Sequence, residues 1–126
     1  MRVTRILHAS VNNSDAVGPT HDFYADVLGL ASANRPDMGI PGSWFDVGGA
    51  QVHLVGFPTS DIPIDPSDHH ICFGVEDLQA ATDALDTAGV PWIAADQTQV
   101  GGRVVRQVFL ADPCGNVIEL QEDSAP

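Results

Sequence analysis

The feature that most constrains this chain is that its two halves match. Each half runs strand, helix, strand, then a hairpin of two strands, with a proline-rich stretch between them. In register His8 lies over His70, and both helical segments end at a glycine, Gly29 and Gly89. Residues 49 to 54, "GAQVHL", lie over residues 115 to 120, "GNVIEL". A repeated unit of this kind relates equivalent positions by a pseudo-two-fold axis. The expected organisation is a single domain over residues 1–126, with module one at about 1–57, a linker at 58–68 and module two at about 69–123.

The local signals fill in the elements. "VTRILHASV" reads as a strand with Leu7, Ala9 and Val11 on one face and Ile6, His8 and Ser10 on the other. "NNSD" is a turn and cap signal before a helix that ends at "VLG", with Phe23, Tyr24, Val27 and Leu28 as its apolar stripe. "SWFDV" and "QVHLVGF" form a hairpin around Gly48 and Gly49. After the linker come a strand "HHICFGV" and a helix from Asp77 to about Ala88, with Leu78, Ala81, Leu85 and Ala88 on one stripe. "VPWIAA" is a further strand, and "RVVRQVFLA" and "NVIELQ" make the last hairpin around "DPCG".

Strand alternation then sorts the faces. Ile71, Phe73 and Val75 are expected beneath the following helix, which leaves His70, Cys72 and Gly74 on the opposite face. His69 points away from His70 and is expected in solvent, and His21 has no partner in this pattern. Gln51 and His53 share a face, as do Val117, Glu119 and Gln121. His8, His53, His70 and Glu119 therefore occupy two pairs of repeat-equivalent positions, all on the face away from the helices. Three imidazoles and a carboxylate suit a divalent metal, whether zinc, nickel, iron, manganese or cobalt. The subset His8, His70 and Glu119 would also serve as a facial triad for ferrous iron. Gln51, on the face of His53, is a substitute ligand for it.

Charge narrows the partners. The chain has no lysine and five arginines against 17 acidic residues, a formal net charge of −12. This argues against nucleic acid or anionic membrane as a partner, because phosphate binding needs a basic footprint. The scarcity of cations draws attention to Arg35, Arg103 and Arg106 as binders of an anionic part of a substrate. Cys72 and Cys114 form no metal or disulfide pattern, and Cys72 is expected to act as a small buried hydrophobe. Trp44, Phe45, Trp92 and Phe109 are candidates for an apolar wall. No apolar run approaches a membrane span, and "MRVTRILHASV" lacks the features of a secretory signal, so a cytoplasmic protein is expected.

The stretches "ILHASV", "DFYADVLGL", "DVGGAQVHLV", "HHICFGVEDLQAATDALDTAGV" and "RQVFLADPCGNVIELQ" together resemble the glyoxalase/bleomycin-resistance/dioxygenase group, the vicinal-oxygen-chelate superfamily. The resemblance runs from about Val3 to Glu122. It implies an α+β fold in which two tandem β-α-β-β-β modules form a cup-shaped mixed sheet around a metal, helices outside. It also implies a homodimer, and puts metal ligands at His8, His53, His70 and Glu119. Glyoxalase I enzymes typically carry glutamate where this chain has His53, and methylmalonyl-CoA epimerases carry glutamine there. Three functions follow from the resemblance. The first is a metal-dependent lyase or isomerase of glyoxalase type, acting on a small molecule chelated through adjacent oxygens, with Glu119 or a bound hydroxide moving the proton. The second is an extradiol-type dioxygenase. The third is an antibiotic-resistance protein, either a fosfomycin-thiol transferase or a bleomycin-type drug binder.

Overall fold

The structure, a computed structural model, describes residues 1–13, 15–56, 64–113 and 115–123. Eight strands form one mixed sheet. They are β1 (Val3–Asn12), β2 (Ala31–Ala33), β3 (Gly42–Val47), β4 (Ala50–Val55), β5 (His70–Val75), β6 (Trp92–Thr98), β7 (Val104–Ala111) and β8 (Val117–Glu122). Helix α1 (Val17–Asp22) lies between β1 and β2, and α2 (Leu78–Ala88) between β5 and β6. This is the α+β arrangement expected. The strand order β2-β3-β4-β1-β5-β8-β7-β6 reads the same from either edge under exchange of the two modules.

The two modules meet where β1 and β5 pair antiparallel at the middle of the sheet. Each central strand pairs in parallel with the last strand of its own module, β1 with β4 and β5 with β8. His8 lies opposite Gln51 and Ser10 opposite His53; the equivalent pairs in module two are His70 with Val117 and Cys72 with Glu119. The repeat register read from the sequence is therefore the register of the sheet. Across the centre, His8 pairs with Cys72 and Ser10 with His70. Two rows of side chains result: Gln51, His8, Cys72, Glu119, and His53, Ser10, His70, Val117.

One face of the sheet holds the core. Val75, Leu78, Ala81, Leu85, Val108 and Leu120 are buried together, with Phe73, Val90, Trp92, Leu110 and Ile118 packed against them. Helix α2 is well defined at both ends. The Asp77 carboxylate accepts from the Ala80 N–H at the N-terminus, and Gly89 takes the left-handed conformation at φ 69°.

Three expectations are corrected here. The first helix is shorter than its repeat mate and passes into a π-helical turn over Phe23–Val27. The extra residue rotates the apolar stripe off the sheet, so Phe23, Val27 and Leu28 are exposed and only Tyr24 reaches Phe45, with ring centroids 6.0 Å apart. β1 is bulged between Ile6 and His8 and again between Val3 and Arg5. The bulge at Leu7 breaks the alternation: Ile6 pairs with Phe73 on the helix side, so it does not share the face of His8. Gly74 sits where these bulges press, and a Cβ there would come within 2.9 Å of Thr4 Oγ1 and 3.2 Å of Leu7 Cδ2. Ile71 points to the helix side as expected, but no helix covers it and it is exposed.

Of the predicted linker, residues 58–63 lie outside the described residues, as does Cys114. The end of the linker is ordered by Asp65, whose carboxylate accepts from the N–H and hydroxyl of Ser67.

Candidate metal centre

Small side chains occupy the middle of the two rows. Ser10 separates His53 from His70, and Cys72 separates His8 from Glu119. The open face of the sheet curls over them, so side chains two strands apart converge above Ser10 and Cys72. His8 Nε2 lies 3.2 Å from Glu119 Oε1, His70 Nε2 lies 3.0 Å from the same oxygen, and the two imidazole nitrogens are 3.3 Å apart. Glu119 is 1% exposed, and both histidines are buried. Two modules and three strands thus deliver three donor atoms to one point.

The chemistry of that point identifies what fits it. His70 Nδ1 lies 2.8 Å from the Asp68 carbonyl, and since a carbonyl only accepts, the proton sits on Nδ1. With its proton on Nδ1, His70 Nε2 presents a lone pair that the Ser10 hydroxyl meets from one side at 3.1 Å, while Glu119 Oε1 on the other side is itself only an acceptor. A shared cation resolves the conflict, either a further proton on an imidazole or a metal ion. An ion with bonds of about 2.0–2.2 Å to nitrogen and oxygen spans donor separations of about 3 Å, which is the spacing present. The Nδ1–H to carbonyl bond is also the usual way an imidazole ligand is oriented. Burial pushes the Glu119 carboxyl toward its neutral form, but hydrogen bonding and positive charge shared with the His70 and His8 imidazoles outweigh it and hold the group below the usual carboxylate range.

His53 stands beside this triad. Its ring is sandwiched between Trp44, at 4.0 Å and nearly parallel, and His8, at 3.8 Å. His53 Nε2 lies 2.8 Å from Gln51 Oε1, and Gln51 Nε2 donates to Asp46 Oδ1 at 3.0 Å. Burial first, and then the neighbouring His8, pushes the His53 pKa down to about 2, so the ring is neutral. The four-ligand expectation therefore becomes a converged trio with a stacked fourth imidazole.

Cys72 lies beneath the trio. Its sulfur is within 4.8 Å of ligand atoms of His8 and Glu119. Burial, and then the charge of Glu119, pushes its thiol pKa up, so sulfur stays protonated and the closer His70 nitrogen is the better third donor. Among the described residues His69 is exposed as expected, and His21 is half-exposed, with its ring 5.4 Å from Phe45.

The open face carries two compartments that share His8, Trp44, His53 and Gln97. The inner one, about 190 Å³, contains His8, His70 and Glu119 and is walled by Met38, Ile40, Val55 and Phe109. The outer one, about 370 Å³, is lined by Arg5, Gln51, Gln99, Arg103 and Gln121. Gln97 Nε2 approaches Met38 Sδ to 2.9 Å, tying β6 to the loop before β3 across the mouth.

The predicted arginines do not gather here. Arg35 donates to the Ile40 carbonyl at 2.8 Å and abuts Gly42, so it braces its own loop and lines neither compartment. Arg106 lines a different groove from the two compartments. Gln107 and Phe109 face the metal site, and alternation turns Arg106 to the helix side, where it lines a groove with Asp77 and Gln79. Arg103 reaches the outer compartment. Arg5, which sequence reasoning passed over, also lines it. Its guanidinium grips Asp123 through two contacts of 3.1 Å and donates to the Gly49 carbonyl. Of the four aromatic candidates, Trp44 and Phe109 wall the compartments. Phe45 packs under Tyr24, and Trp92 donates to Asp86 on the helix side.

A curled mixed sheet of two equivalent modules, with two histidines and a glutamate converging at their junction, defines a class of cup-shaped proteins whose central side chains could hold a metal ion. The glyoxalase/bleomycin resistance protein/dioxygenase superfamily model matches residues 5–120, and the chain belongs to that superfamily. No curated protein matches it in sequence. Among solved structures, a hypothetical protein from Bacillus halodurans is similar at TM-score 0.72 and 17% identity, over 97% of this chain and 96% of that one. Methylmalonyl-CoA epimerase from Mycobacterium tuberculosis is similar at TM-score 0.69 and 24% identity, over 98% and 90%. A superfamily member from Vibrio splendidus is similar at TM-score 0.63 and 15% identity, over 96% and 99%. At these identities the likeness is one of fold.

Proposed function

We propose that this chain is a divalent-metal-dependent lyase or isomerase of glyoxalase type, acting on a small substrate that presents two adjacent oxygens. The observation that carries the reading is the triangle of His8 Nε2, His70 Nε2 and Glu119 Oε1, with sides of 3.0–3.3 Å, opening into the inner compartment. Those three residues would hold the ion. When bound, it supplies Lewis-acid polarisation of chelated substrate oxygens and so eases loss of a proton from the neighbouring carbon to a hydroxide in the compartment.

The protein's own groups set the rest. Met38, Ile40, Val55 and Phe109 give the small inner compartment an apolar wall, which suits a substituent of a few carbons. Ser10 and Cys72 keep the floor low enough for ligands from opposite modules to meet. In the outer compartment Arg5 is neutralised by Asp123, and Asp46 and Glu122 share the lining with Arg103. That balance suits an uncharged, hydrogen-bonding extension served by Gln51, Gln97 and Gln99 better than a polyanion. The charge of −12 favours no nucleic-acid or membrane partner. No helix among the described residues is long and apolar enough to cross a membrane. A cytoplasmic location belongs to the same reading. So does a homodimer, for which the uncovered Ile6 and Ile71 on the outer face of β1 and β5 provide apolar surface.

The test is turnover of a thiol–methylglyoxal adduct by metal-loaded protein, with the His70→Ala variant alongside. Rates above those of the free ion, lost in the variant, are expected; rates equal to the free ion overturn the assignment. A second reading draws support from the separation of His53 from the trio, because two histidines and one carboxylate are the ferrous set of oxygenases. Oxygen uptake with catechols under ferrous iron tests this extradiol-type reading.

A further inference from the structure

The geometry points to Gln107 and Gln121 as positioning residues that fix Glu119 as a one-oxygen ligand and withhold its other oxygen from both metal and substrate. This inference rests on the metal reading above and adds a role for two residues on neighbouring strands.

Glu119 divides its two oxygens between different tasks. Oε1 faces His8 and His70, as described. Oε2 faces the opposite way and accepts from two side-chain amides, Gln107 Nε2 at 3.1 Å and Gln121 Nε2 on the same strand. The placement follows from strand geometry. Phe109 pairs with Glu119 across β7 and β8, so Gln107, two residues before Phe109, shares that face. Gln121, two residues after Glu119, shares it as well.

The consequence is chemical. A carboxylate oxygen offers about two lone-pair directions, and two amide N–H donors take both of those on Oε2. The carboxylate is thereby held so that Oε1 alone is turned to the cation. Chelation by both oxygens would require breaking the two amide contacts in a site where Gln107 is nearly sealed from water and Glu119 is almost fully buried. Coordination positions that a two-oxygen carboxylate would occupy stay available to the adjacent oxygens of a substrate. Proton transfer by Glu119 would need the same contacts broken, so the clamp also makes Glu119 a ligand and not the proton carrier. Neutral amides suit this task because they donate without adding charge: an arginine in either place would compete with the cation for the carboxylate.

The test replaces each donor by a side chain of similar shape with no N–H, in Gln107→Met, Gln121→Met and the double variant. Affinity for Mn²⁺ and Zn²⁺ is measured by competition with a chelator, and the carboxylate infrared bands of the Zn²⁺-loaded proteins are compared. Each single variant is expected to bind about 10- to 100-fold more weakly, the range for outer partners of a metal ligand. The separation of the carboxylate bands is expected to narrow in the double variant as the second oxygen joins the ion. A variant that merely packed worse would lose stability without moving those bands. Should a Met variant fail to fold, Gln107→Asn and Gln121→Asn keep the amide polarity but draw it back from Oε2 by one methylene, and are expected to weaken binding in the same direction. Wild-type affinity and unchanged bands in folded variants overturn the clamp while leaving the metal site standing. No binding by the wild-type protein overturns both.

Discussion

Divalent metal should raise the melting temperature of this protein by about 5 °C for each tenfold increase in free ion above the dissociation constant. The donors lie on β1, β5 and β8, and 62 residues separate His8 from His70, so only the folded chain brings them together. A ligand that binds only the folded state stabilises it by RT ln(1 + [L]/Kd), or about 1.4 kcal/mol per decade. Unfolding entropy of about 2.1 cal/mol/K per residue gives about 0.26 kcal/mol/K for this 126-residue chain. The quotient is about 5 °C per decade. Differential scanning calorimetry over three decades of buffered free Zn²⁺, Mn²⁺, Co²⁺, Ni²⁺ and Fe²⁺ reads the slope directly. The slope should vanish in His8→Ala and in His70→Ala. It should persist in His53→Ala, because His53 is stacked beside the trio and turned toward Gln51. A flat response of the wild type to all five ions refutes the site. A slope that survives both the His8 and the His70 variant refutes the assignment of its ligands.

Three further outcomes follow from the packing and the shifted groups. Leu85→Ala should cost about 2–5 kcal/mol, because Leu85 is buried in the core under α2, whereas Val27→Ala on the exposed π turn should change stability by less than about 0.5 kcal/mol in urea unfolding. The metal-free protein should lose stability on acidification below about pH 6.5. His53 is neutral in the folded state, with its pKa pushed down to about 2, and gains a proton on unfolding, a slope of up to about 1.4 kcal/mol per pH unit that His53→Gln should flatten. The depressed Glu119 carboxyl acts in the same direction once pH falls below the ordinary carboxylate range. Cys72 should resist thiol reagents in the native protein and react only at the rate of unfolding, as read by mass spectrometry of its peptide; rapid native labelling would contradict its burial.

Much of this arrangement was legible in the residues because strands repeat every two and the halves repeat once. Aligning His8 with His70 and Gly49–Leu54 with Gly115–Leu120 yields the parallel register of β4 and β8 against the central strands. The convergence of His8, His70 and Glu119 then follows from faces alone. Gln121 was already on the face of Glu119, and the same alternation applied to "RVVRQVFLA" places Gln107 and Phe109 inward and Arg106 outward. Scarce positive charge had drawn the eye to the arginines, but scarcity carries no information about direction. Two features had no sequence signal of this kind. The β1 bulge at Leu7 depends on how two strands twist past each other, and the π turn after Asp22 depends on how Tyr24 seats on Phe45. The orientation of His53 likewise depends on Trp44, which pairs with it across β3 and β4 and pins its ring flat.

The palindromic strand order has a kinetic side. The strand pairing that creates the metal site is the least local in the sheet, since the pairing of β1 with β5 joins the two modules. Each module can close its own parallel strand pair through a crossover of moderate length, but the central seam must wait for the larger loop to close. Module one alone brings His8 and His53, and module two alone brings His70 and Glu119, so neither half completes the trio. An ion held by the trio would therefore be acquired late in folding, and its binding would report on completion of the whole sheet.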